Sequence, residues 1–163
     1  MNTFQATTKT VVVTMLLKYD AEKIFPLLCP VREYEWIEHW SCDLLYSASG
    51  VNEKGCAFRS KYPGTDEEIW VTSRFEPNQC IEFVRIDTDK VSLNSIALSA
   101  SPNETKLTWT LKLIGATDKG NAWIEFYDPN DFRKVVVMLE KMIDYYLMHG
   151  EMYHEMSDHA DSR

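Results

Sequence analysis

The chain has 163 residues, 45% of them hydrophobic and 26% charged, which is the length and composition of one globular domain with a full core. Its net charge of −8 argues against non-specific binding to nucleic acid or to an anionic membrane, both of which attract cationic surfaces. No apolar run approaches the ~18 residues of a membrane helix, the N-terminal MNTFQATTKT lacks the pattern of a secretory signal, and the expected setting is cytoplasmic.

Residues 9–17, KTVVVTMLL, are β-branched and apolar and predict a first strand. Asp20 is a candidate N-cap for a short helix over AEKIFPLL. Pro26 and Pro30 interrupt it, so residues 20–40 predict two short helices rather than one long one. The second, residues 31–40, packs two tryptophans, a tyrosine and a histidine among four charged residues. At helical spacing Arg32, Trp36, His39 and Trp40 share a face, with Glu33 and Ile37 beside them.

Residues 43–49, 56–62, 67–75, 80–87, 91–100 and 105–114 predict six further strands separated by Gly-, Pro- and Asn-rich turns, an antiparallel meander. In the last, Leu107, Trp109, Leu111 and Leu113 alternate with polar residues, so one face is apolar. In residues 67–75, Ile69, Val71 and Phe75 share one face and Glu68, Trp70, Thr72 and Arg74 the other, unless a bulge changes the phase. After residue 117 the pattern turns helical, with GNAWIEF as a first turn or two and a break at Asp128-Pro129-Asn130-Asp131. A long amphipathic helix follows, with Phe132, Val135, Val136, Leu139, Met142, Ile143, Tyr146 and Leu147 at three- and four-residue steps. Its apolar stripe must be laid on something, and the concave face of the sheet is the available partner. The polar stretch 157–163 predicts a frayed tail.

The order strand, two short helices, six strands, long helix resembles the helix-grip fold of the START and birch-pollen-allergen superfamily (SRPBCC). The segments Phe25 to Glu33 with Trp36 and Trp40, then Tyr46 to Gly50, Gly55 to Phe58 and Glu68 to Val71, resemble a bacterial branch in which C-P-x-R-E-x-x-W precedes the sheet. The resemblance implies one α+β domain over residues 1–163, core about 9–150. It implies a curved seven-stranded antiparallel sheet, two short helices after the first strand, and a long C-terminal helix across the concave face. The superfamily holds lipid and hormone carriers, polyketide cyclases and aromatases, and relatives of the Hsp90 ATPase activator, so fold alone does not choose among activities.

A cavity between sheet and helix is the expected site of a hydrophobic or amphipathic small molecule, with Arg32, Glu33, Trp36, His39, Trp40, Glu68, Trp70, Trp109 and Tyr146 as candidate lining. A structural role competes at each position. Trp36 and Trp40 can plug the end of the sheet, Arg32 and Glu33 can tie the helices by salt bridges, and Trp109 and Tyr146 can be core. A cyclase-type enzyme would use Glu33, His39 or Glu68 as acid or base, with Arg32 as electrostatic stabiliser. An interaction module would show an exposed apolar patch and a collapsed cavity.

No nucleotide loop is present, no cofactor is implied, and Cys29, Cys42, Cys56 and Cys80 lack paired metal-ligand spacing, so reduced thiols are expected. His154-Glu155 begins a near miss to H-E-x-x-H, because His159 falls one residue late.

Overall fold

A computed structural model describes residues 3–155; the expected frayed tail and His159 lie outside them. Seven antiparallel strands form one open sheet: β1 (Thr8–Leu17), β2 (Cys42–Tyr46), β3 (Ala57–Ser60), β4 (Glu68–Glu76), β5 (Cys80–Ile86), β6 (Lys90–Ser101) and β7 (Glu104–Gly115). Their spatial order is β1-β7-β6-β5-β4-β3-β2, so only the β1–β7 pairing joins strands distant in sequence. Residues with period-two burial, Val11, Val13, Met15 and Leu17 on β1 and Leu107, Trp109, Leu111 and Leu113 on β7, face the same side.

That concave side is covered by α1 (Ala21–Ile24), which runs straight into a 3-10 turn over Phe25–Leu28, and by the C-terminal α3 (Pro129–His149). A shorter α2 (Asp118–Phe126) links β7 to α3. The boundaries of α3 follow from its end residues. Asp128 accepts a hydrogen bond from the Asn130 amide at 2.9 Å, Pro129 occupies the first turn where its missing N–H leaves no gap, and Gly150 closes the other end at φ 72°. Phe132, Val136 and Ile143 on α3 are buried against the sheet. No helix among the described residues is long and apolar enough to cross a membrane.

The second short helix expected at residues 31–40 is reduced to a single 3-10 turn, Glu33–Glu35. Side-chain hydrogen bonds explain the difference. The Trp36 indole N–H donates to the Leu27 carbonyl at 2.9 Å, and that of Trp40 to the Pro30 carbonyl at 2.8 Å. Both rings are thereby fixed to the preceding turn, and a continuous α-helix could not place them so. His39 takes up the change in direction at φ 62°.

A bulge, which the sequence left open in the fourth strand, is present at the register shift between Thr72 and Arg74. Glu68, Trp70 and Thr72 face inward ahead of it by alternation, and the shift of one residue brings Phe75 back to the core, where its ring meets Phe25 at 5.3 Å.

The β5–β6 turn is fastened to the start of α2. Thr117 donates to Asp89 at 2.8 Å and Lys119 at 2.7 Å, while Gly120 lies so close that an added Cβ would stand 1.9 Å from the Asp89 carbonyl oxygen. Gly120→Ala must force turn and helix apart. Overpacking of this kind is expected to cost about 3 kcal/mol and to lower Tm by roughly 10 °C, measurable by calorimetry.

Candidate functional site

Sheet and helices do not close completely. Between them lies a cavity of about 750 Å³, whose floor is the concave face of β3 to β7 and whose roof is α3, with Met138, Leu139 and Met142. Exposed lining residues mark its mouth: Gly64, Thr65 and Asp66 of the β3–β4 loop on one side, Lys134 and Val135 on the other.

The aromatic wall is built by register. Phe58, Trp70, Arg85, Ser92 and Leu113 lie in one row across β3 to β7, each opposite the next. Trp70 is the hub of this wall. Its ring centroid is 5.3 Å from Phe58, 5.5 Å from Phe83 and 6.1 Å from Trp40, which reaches in from the 3-10 segment. Ile96, Trp109, Leu111 and Leu113 continue the apolar floor.

Apart from Asp66 and Lys134 at the mouth, the charged pairs lie at the end of the cavity formed by the start of β4, the end of β5 and the start of β6. There the Arg85 guanidinium grips the Glu68 carboxylate through both Nε and Nη2, at 2.7–3.0 Å, and lies over the Trp70 ring at 4.4 Å. The Trp70 N–H also donates to Glu68 at 3.1 Å. A second pair, Lys90 with Asp87 at 2.7 Å, is completed by the backbone amides of Asp89 and Lys90. Burial opposes the Asp87 charge, but these donors outweigh it and hold its carboxyl below the usual range.

Glu33 is different. It points into the cavity from the 3-10 turn, and its carboxyl makes no hydrogen bond to any described residue. It keeps accessible surface because it faces the cavity, yet protein encloses it. That burial pushes its pKa up to about 8, with Arg85 pulling weakly the other way, so Glu33 carries its proton at neutral pH. Two further polar atoms on residues of the wall, Trp109 Nε1 and Asn94 Oδ1, are enclosed without a partner among the described residues.

Of the nine candidates drawn from sequence, the structure brings Glu33, Trp40, Glu68, Trp70 and Trp109 together around the cavity. The other four stand elsewhere. Trp36 is 1% exposed and belongs to the core. His39 is turned out to solvent by its left-handed backbone. Arg32 lies outside the cavity, bound in fork geometry to Glu35 at 2.8 and 2.9 Å, and the Tyr146 hydroxyl of α3 donates to the same carboxylate. Arg32, then Tyr146, holds the Glu35 carboxyl down to about 2. These three residues form a latch that ties the 3-10 segment to α3, the tying role open to Arg32 in sequence. It closes through Glu35, not Glu33.

Arg85, Asp87, Lys90 and Asn94 were not among the candidates. A signal for them was present. Arg85 and Asp87 continue the phase of the buried Ile81 and Phe83, and Lys90, Ser92 and Asn94 share the phase of Ile96. Polar residues in phase with a core face mark a wet cavity rather than solvent. Among the described residues no group of His, Cys, Asp or Glu side chains converges to hold a metal.

No family model and no curated protein sequence matches the chain. Solved structures do. Ara h 8.0201 aligns at a TM-score of 0.64 with 11% identity, over 87% of this chain and 99% of that one. Major latex-like protein 151 of Panax ginseng aligns at 0.62 with 14% identity, over 85% and 97%. DynU16, from the dynemicin biosynthetic locus, aligns at 0.63 with 15% identity; 87% of this chain is covered, and it spans about half, 48%, of DynU16. At such identities the likeness concerns the fold, and it is the helix grip.

Proposed function

We propose that this helix-grip chain binds or carries a hydrophobic or amphipathic small molecule in the cavity between sheet and α3. One observation carries the reading: about 750 Å³ of space, walled by Trp40, Trp70, Phe83 and Trp109, with its enclosed charges held in two ion pairs. An apolar body with sparse, localised polarity is how small-molecule sites are made. A cavity of this size also weighs against an interaction module with a collapsed interior.

Native mass spectrometry of gently purified protein tests the reading. A one-to-one adduct that is released on denaturation is expected, and its mass gives the ligand. Trp40→Ala removes a cavity wall that is only half-buried. It is expected to weaken an apolar probe at least tenfold while lowering stability by only about 1–2 kcal/mol. An apo mass together with no uptake of any apolar probe would sink the proposal.

A second reading is favoured by Glu33 alone. A protonated carboxyl without a partner, inside an apolar cavity, is the form a general acid takes. If the chain is an enzyme of the cyclase type, Glu33 is its acid, and turnover falls as pH rises through about 8.

A further inference from the structure

Inside the cavity the charges cancel within pairs, while Asp66 and Lys134 stand exposed to solvent at its mouth. Glu68 is engaged by Arg85 through three contacts of 2.7–3.0 Å, and Asp87 by Lys90 at 2.7 Å. All four side chains are at most one-quarter exposed, so each charge depends on its partner for most of its stabilisation. The Arg85 plane is further occupied by the Trp70 ring on one face. Neither cation is free to receive an anion and neither carboxylate is free to receive a cation.

The polar groups left over are uncharged. Glu33 holds its proton, and Trp109 Nε1 and Asn94 Oδ1, enclosed within the wall, carry no charge. A carboxylate entering the cavity would either break one of the two ion pairs or remain buried without a counter-ion. An ammonium ion would meet the same choice, or would need Glu33 to release its proton to solvent against its burial, and would then stand near the Arg85 cation. Breaking a buried pair, or burying an ion stripped of its water, costs more than a hydrogen bond to a neutral group. A carbonyl, by contrast, accepts the Glu33 proton directly, and a hydroxyl can donate to the other carboxyl oxygen.

We propose that the cavity selects uncharged ligands, an aromatic or polycyclic body bearing a ketone or hydroxyl, and rejects carboxylates and ammonium ions of the same size. This rests on the cavity being a binding site, and the test separates the two claims. The full chain is titrated at pH 7 with three probes that share one ring system: 2-acetylnaphthalene, 2-naphthoate and 2-naphthylmethylammonium. Binding is followed by calorimetry. The ketone is expected to bind at least tenfold more tightly than either ion. An ion that binds as tightly as the ketone overturns the selectivity but leaves the binding site standing. Failure of all three probes overturns the aromatic-ketone selectivity, and the binding reading falls with it where the native mass is also that of the bare chain.

Glu68→Gln provides an independent readout. The amide keeps the shape of Glu68 but releases the charge of Arg85. The ratio of naphthoate to ketone affinity is expected to rise at least tenfold, a shift that mere loosening of the fold would not produce. An unchanged ratio would show that the Arg85–Glu68 pair does not set the charge preference. If the variant does not fold, the three-probe series on the natural chain decides the matter alone.

Discussion

Trp36→Ala is expected to destabilise the protein by about 4 kcal/mol, the largest loss from any single indole. Trp36 is 1% exposed and sits among Leu27, Leu28 and the rest of the core cluster, so truncation leaves a cavity too enclosed to collapse. It also removes the donor that satisfies the Leu27 carbonyl at 2.9 Å, the bond that holds the Glu33–Glu35 turn to the 3-10 turn over Phe25–Leu28. For a chain of this length the shift in Tm is roughly 8–16 °C. Urea unfolding measures the loss, and Trp36→Phe, which keeps most of the volume but not the N–H, is expected to fall between the two. Because Trp36 does not line the cavity, ligand affinity measured on the remaining folded protein is expected to change little. A Trp36→Ala protein of near-normal stability that had lost its ligand would reverse the assignment and make Trp36 a binding residue.

Glu33→Gln is expected to stabilise the protein, and to do so only above mild acidity. In the unfolded chain the carboxyl ionises near its ordinary value of 4.5, whereas in the folded protein burial keeps it protonated to about 8. Below pH 4.5 both states hold the proton and the residue contributes nothing to the pH slope. Between 4.5 and 8 the unfolded state ionises and the folded state does not, so stability drains away as pH rises. Above 8 the folded protein must hold a buried carboxylate, and the loss is complete. Each unit of the interval corresponds to about 1.4 kcal/mol, which makes the whole effect on the order of a few kcal/mol. Glutamine has no proton to lose. The variant and the natural chain should therefore have similar Tm near pH 4 and diverge steadily to pH 9, with the variant the more stable. Parallel Tm curves across that range would show that Glu33 is open to solvent and ionises normally.

These two expectations separate residues that the sequence places side by side. Trp36 and Glu33 lie three positions apart in one aromatic and acidic segment, and helical spacing set Trp36 beside Arg32, His39 and Trp40 on one face. The segment is not a helix. Indole-to-carbonyl hydrogen bonds and the left-handed His39 replace the 3.6-residue period, so Trp36 turns into the core, Trp40 and Glu33 into the cavity, and Arg32 and His39 outward. No periodicity rule reaches a segment whose conformation is set by side-chain bonds to its own backbone.

The architecture was legible where the signal is local. Alternation along β1 and β7, turn residues between strands, the Asp-Pro start of α3 and its long apolar stripe follow from backbone geometry and from the burial of one face, which adjacent residues carry among themselves. The seven strands and the long grip helix were within reach of the sequence alone; which face of the fourth strand points inward, and so the place of Glu68 and Trp70, was left open. Tertiary structure decided which polar residues meet. Arg85 finds Glu68 across seventeen positions, Glu35 finds Tyr146 across one hundred and eleven, and Glu33 finds no hydrogen-bond partner among the described residues. Pairing of buried charges depends on register and on packing distances of a few ångström, and it is this pairing, not the presence of the charges, that makes the cavity neutral.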